Sequence, residues 1–78
     1  MSRTDGMSIV GYAELVRRVV AWVAAQERYP TYGDIARRYR LTHAEIDDIV
    51  GDSSAYGPTL MAHAHYGPRS LTTVEIFD

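Results

Sequence analysis

The chain contains no cysteine. That excludes disulfides, thiolate-bound zinc and thiol nucleophiles together. Small secreted domains generally lean on such cross-links, so the expected setting is the cytoplasm. Lysine is absent as well: all eight basic residues are arginine. Nor is there a basic excess, because ten acids face eight bases and the net charge is −2. Bulk attraction to nucleic acid or to an anionic membrane is thereby excluded, and any affinity for a polyanion has to come from a local patch. Long apolar runs are missing too. The longest, Val19 to Ala25, has seven residues, against about 20 for a membrane span. The first six residues, Met1 to Gly6, hold no apolar stretch of signal-peptide length.

What remains is a chain of 78 residues, 46% of them hydrophobic. That composition fits a folded globule rather than a disordered tail. At this length folding buries roughly 60–65% of the surface of the unfolded chain. There is room for one small core, and none for a catalytic cleft with a second lobe.

Residues 1–7 are polar and expected to fray. Ser8 is suited to cap a helix running from Ile9 to Arg28. Ile9, Ala13, Val16, Val19, Val20, Val23 and Ala24 recur at helical spacing and define its inner face. Glu14 near the start and Arg28 at the end suit the helix dipole. Tyr29-Pro30 stops the helix, because a residue before proline avoids helical geometry. Thr31, with Asp34 three residues later, opens a second helix from Tyr32 to Tyr39. Arg40-Leu41 is a short break. Thr42 and Glu45 then form a capping box for a third helix, with Ile46, Ile49 and Val50 inward and Gly51 at its end.

Beyond Gly51 the composition turns to loop formers, Gly51-Asp52-Ser53-Ser54 and Gly57-Pro58. Two runs of seven residues follow, Leu60 to Tyr66 and Leu71 to Phe77, around a four-residue turn at Gly67–Ser70. The second run is rich in strand formers. The first contains Met61, Ala62 and Ala64, which suit a helix equally. A lone hairpin is marginal in water, so this one has to pack on the helices.

The segment Tyr32 to Gly51 resembles the helix-turn-helix of DNA-binding regulators. Ala36 stands where that family places a small residue at the helix crossing, and Ile35, Tyr39, Leu41, Ile46 and Ile49 match its apolar anchors. With the hairpin, residues 9–77 resemble small winged helix regulators of the plasmid or phage repressor kind. The resemblance implies a mostly α (α+β) fold: a three-helix helix-turn-helix core with a C-terminal β-hairpin wing, spanning residues 8–78 after a flexible 1–7. One departure is plain. Arg40 occupies the turn where the family often has glycine, and a positive φ would strain it. Either the turn takes another geometry or it carries that strain.

The resemblance further implies that Thr42 to Asp48 is a recognition helix with Thr42, His43, Ala44, Asp47 and Asp48 outward. Thr42 would meet a phosphate or base edge, His43 an acceptor, Ala44 a thymine methyl and Asp47 a cytosine amino group. Glu45, Asp47 and Asp48 bring three negative charges to that helix. Arg37, Arg38 and Arg40, with Arg69 at the wing tip, would then supply the phosphate contacts. The expected function is a sequence-specific duplex DNA-binding regulator, a repressor acting as a homodimer. No cofactor, metal ion, small-molecule effector or membrane contact is expected.

Plainer readings stand beside this one. Arg37-Arg38-Tyr39-Arg40 also fits a solvated helix face. The acidic third helix also fits an adaptor for a basic protein partner. His63 and His65, two apart, would share one face of a strand, but no further ligand at a metal-binding spacing accompanies them. Ser53 and Ser54 have no base at a catalytic spacing, so an enzyme is not expected. Leu15 and Trp22, seven apart beside the main stripe of the first helix, are either covered by the hairpin or exposed as a dimer interface.

Overall fold

The computed structural model describes residues 4–77. Three helices, α1 (Ile9–Ala25), α2 (Tyr32–Tyr39) and α3 (His43–Tyr56), precede a hairpin of β1 (Thr59–Ala62) and β2 (Val74–Phe77). The strands are antiparallel, with Leu60 opposite Ile76 and Ala62 opposite Val74. The fold is thus a three-helix core with a C-terminal β-hairpin.

Each helix starts where a local cap dictates. The Ser8 hydroxyl accepts the Gly11 N–H. At α2 the Thr31 hydroxyl accepts from Asp34 N–H while the Asp34 carboxylate accepts from Thr31 N–H. Thr42 and Glu45 repeat the same reciprocal pair at α3. Such caps satisfy N–H groups that the first turn of a helix leaves without partners.

The helix ends depart from expectation. α1 stops at Ala25, three residues before Arg28, which therefore contributes nothing to its last turn. Gln26 ends it by side chain and backbone together: its Nε2 donates to Trp22 O at 2.9 Å, and its N–H to Val23 O at 3.2 Å. At the other extreme, α3 does not end at Gly51 but continues to Tyr56. Ile49 and Ser53 lie buried along its inner face, and the Tyr56 ring meets Tyr12 edge-on at 6.1 Å. Those tertiary contacts outweigh the weak helix preference of Gly51-Asp52-Ser53-Ser54. Ser53 is fully buried, and its hydroxyl donates to Val50 O and accepts from Leu60 N–H, both at 2.8 Å. It ties the last turns of α3 to the start of β1.

α1 lies against α3 and β2. Val16, Val19, Ile35, Ile46, Ile49 and Val74 are wholly enclosed. The inner stripe of α1 is rotated from the expected one. Ala13, Val16, Val19, Val20 and Val23 are inside as predicted, but Ile9 is 79% exposed, Ala24 is exposed and Leu15 is only 4% exposed. Leu15 therefore belongs to the core and is not part of an open dimer face. Trp22 is half-buried beside the core, its ring edge-on to Tyr39. Residues 4–7, expected to fray, are anchored: Met7 packs on the core and the Thr4 N–H donates to Glu45 Oε2. Residues 1–3 of that expected flexible segment lie outside the described residues.

The hairpin is shorter than two seven-residue runs. Its strands have four residues each, and residues 63–73 connect them through a 3-10 turn at Arg69–Leu71. Pro68 and Arg69 carbonyls receive the Leu71 and Thr72 N–H groups, which curls the chain back instead of reversing it tightly. The returning strand is also flanked on its second side. Tyr32 N–H donates to Thr72 O, and Val74 N–H to Pro30 O, with Thr31 and Thr73 bridged antiparallel. The segment leading into α2 so adds a short third rung beside β2. Gly33 permits this closeness: a Cβ there would sit 3.1 Å from the Ser70 carbonyl oxygen. Among the described residues no helix is long and apolar enough to cross a membrane.

Candidate nucleic-acid interface

The turn between α2 and α3 is the focal point. Arg40 takes φ 56° and ψ 52°, the left-handed region, and its N–H caps Ala36 O. Leu41 N–H also reaches Ala36 O, at 3.1 Å. So residue 40 does occupy the conformation that favours glycine, and the turn carries the strain, about 1–2 kcal/mol for a residue with a Cβ. Ala36 sits partly buried against the core next to this turn.

Around α3 the predicted site residues divide. Thr42 and Ala44 are exposed and His43 is half-buried. The Thr42 hydroxyl oxygen is engaged in the cap of α3. Glu45 does not face outward with the other acids: it is 5% exposed and holds both Thr42 N–H and Thr4 N–H. Asp47 accepts the Tyr32 hydroxyl at 2.7 Å and pairs with the Arg69 guanidinium. Asp47 and Asp48 are both exposed on α3, Asp47 in an ion pair with Arg69.

Tyr32 organises this corner, a role the sequence did not signal. Its ring is 2% exposed, lies under the Arg69 guanidinium at 5.4 Å and meets the His43 ring edge at 6.0 Å. A buried tyrosine generally finds a partner for its hydroxyl, but no spacing rule links residue 32 to residue 47. Burial, together with the hydrogen bond to Asp47 and that residue's charge, pushes the Tyr32 hydroxyl up to about 12. The same hydrogen bond, aided by Arg69, holds the Asp47 carboxyl below the usual carboxylate range. Asp47 in turn raises the Arg69 guanidinium further. Arg69, exposed in the connection between the two strands, reaches Asp47 on α3.

The α2 arginines differ in their engagement. Arg37 donates to Asp34 at 2.7 Å. Asp34 is held below the usual carboxylate range, first by the Thr31 backbone N–H. Arg38 lies over the Trp22 ring at 5.9 Å. Both line an open groove of ≈ 770 Å³ with Trp22, Arg28 and Tyr29. Arg40 is exposed, and no ion pair or ring contact engages it among the described residues.

The histidines do not converge. His63 follows β1, its ring stacked on Tyr29 at 5.6 Å and its Nε2 3.1 Å from Glu75 Oε1. His65 is exposed in the connection. Among the described residues no group of three or more His, Cys, Asp or Glu is placed to hold a metal ion. Ser53, rejected above as a nucleophile, is occupied in tying α3 to β1. No protein-family model, curated protein or solved structure matches the chain.

Proposed function

We propose that the protein is a sequence-specific duplex DNA-binding transcriptional regulator of the winged helix kind, a repressor that acts as a homodimer in the cytoplasm. The observation that carries this reading is the α2–turn–α3 unit. Two short helices, each with a complete capping box, meet through a left-handed residue at position 40. Thr42, His43 and Ala44 stand at the leading end of α3, and Arg37, Arg38 and Arg40 run along α2 and the turn toward it. A helix presented in this way enters the major groove, while flanking arginines meet phosphates. The third rung formed by Pro30–Tyr32 beside β2 adds support, because it braces the wing against the start of α2. The acidity of the chain is also less adverse than its sequence implies: Glu45 is enclosed in a cap and Asp47 is neutralised by Arg69.

Homodimerisation follows from reach. One recognition helix reads only a few base pairs, and a regulator gains a longer site by pairing two. A constitutive regulator of a plasmid, phage or neighbouring gene suits a domain of this size. The second reading, an adaptor for a basic protein, is favoured by the exposed Asp48 and Asp52, one turn apart in the middle of α3. Fluorescence anisotropy separates the two. DNA flanking the protein's own gene should bind at least about 10³-fold more tightly than random duplex, and affinity should fall steeply with salt. Absence of salt-dependent duplex binding would discard the DNA reading in favour of the adaptor.

A further inference from the structure

Arg40 is the only non-glycine residue with positive φ among the described residues. Glycine enters this region freely, whereas a side chain with a Cβ does not. Nothing in the fold compensates for the choice. The one local bond residue 40 makes there, its N–H to Ala36 O, uses the backbone and would be made by glycine too. Its side chain is exposed and meets no carboxylate and no ring among the described residues. The other arginines proposed as phosphate contacts are each engaged, Arg37 with Asp34, Arg38 with Trp22 and Arg69 with Asp47. Glycine at position 40 would thus keep each hydrogen bond, ion pair and ring contact among the described residues and remove the strain.

Strain that the fold does not require is retained where the side chain serves a ligand. The side chain here is a guanidinium, permanently charged and forked to match phosphate oxygens. It stands two residues before Thr42, the cap of α3, at the junction of the two helices. We infer that Arg40 is the principal phosphate anchor of the protein on duplex DNA, an inference that rests on the DNA-binding reading. The strained turn holds an uncommitted guanidinium beside the leading end of α3. Arg37 and Arg69 act first on the protein itself, by fixing Asp34 and Asp47.

The test pairs thermal unfolding with anisotropy on a fluorescent duplex of mixed sequence at several salt concentrations. Arg40→Gly should raise the Tm by roughly 4–8 °C and lower the log–log salt slope by about 1. Arg40→Lys should keep both the wild-type slope and the wild-type Tm. Arg37→Ala should change the slope by less than Arg40→Gly does. If the wild type binds duplex and Arg40→Gly binds with an unchanged slope, the assignment of Arg40 is wrong while the DNA reading stands. An unchanged or lower Tm for Arg40→Gly would also overturn it, because the strain would then serve the fold. If the wild type binds no duplex even at low salt, the DNA reading itself fails and the anchor fails with it.

Discussion

Arg69, in the connection between the two strands, donates to Asp47 on α3, 22 residues earlier in the chain. This exposed pair links the connection to the third helix. The Tyr32 hydroxyl occupies the same carboxylate oxygen.

The first prediction concerns that carboxylate. Asp47→Ala releases Arg69 and removes a negative charge from α3. Affinity for all duplexes should rise together, with the ranking of single-base operator variants unchanged. His43→Ala, by contrast, should alter the ranking by about 1–3 kcal/mol at one base pair. A panel of single-base variants measured with both proteins decides the matter, and a changed ranking for Asp47→Ala would show that this residue reads bases.

The second concerns Ser53. Ser53→Ala removes the only hydrogen-bond partner shown for the Leu60 N–H, in a buried setting. A loss of about 1–3 kcal/mol is expected. Ser54→Ala, at an exposed position of the same helix, should stay within about 0.5 kcal/mol of wild type. Urea unfolding of the two variants provides the comparison, and equal midpoints would show that the α3–β1 tie contributes nothing.

Gly51 supplies a third expectation with the opposite sign. It lies inside α3, and a Cβ built there meets nothing within 4 Å. Gly51→Ala should stabilise the domain by about 0.5–1 kcal/mol, since glycine is the poorer helix former. A lower Tm for this variant would argue that α3 ends at residue 51.

Stability should also fall at both extremes of pH. Asp34 and Asp47 have carboxyls held below the usual range in the fold. Their contribution is fully present above the unfolded value of about 4, and is lost as pH falls through the lower folded values. Tyr32 is raised to about 12, so its contribution is complete below the unfolded value of about 10 and is lost as pH rises toward the folded one. Thermal scans from pH 2 to 12 check this. Asp47→Asn should flatten the acid limb and Tyr32→Phe the alkaline limb. Limbs identical to wild type in these variants would place the titrations elsewhere.

Where the helices begin is local information. Ser8, Thr31 and Thr42 act on N–H groups three residues away, so those starts need no tertiary information. The bounds of α2, the packing role of Ile35, Ile46 and Ile49, and the presence of a C-terminal hairpin were legible for the same reason: residue spacing and local propensity suffice. Tertiary structure decided what depends on partners far along the chain. α3 runs past Gly51 because Ser53 and Tyr56 find partners in β1 and α1. Leu15 is inside and Ile9 outside because the surfaces facing α1 are set by the way α3 and β2 pack on it. Glu45 is enclosed because Thr4, 41 residues away, reaches it. Arg69 and Asp47 pair because a surface arginine meets whichever carboxylate the folded chain brings within reach. Hydrogen bonds over three residues are written in the sequence, whereas those over 22 or 41 exist only once the core has brought their partners together.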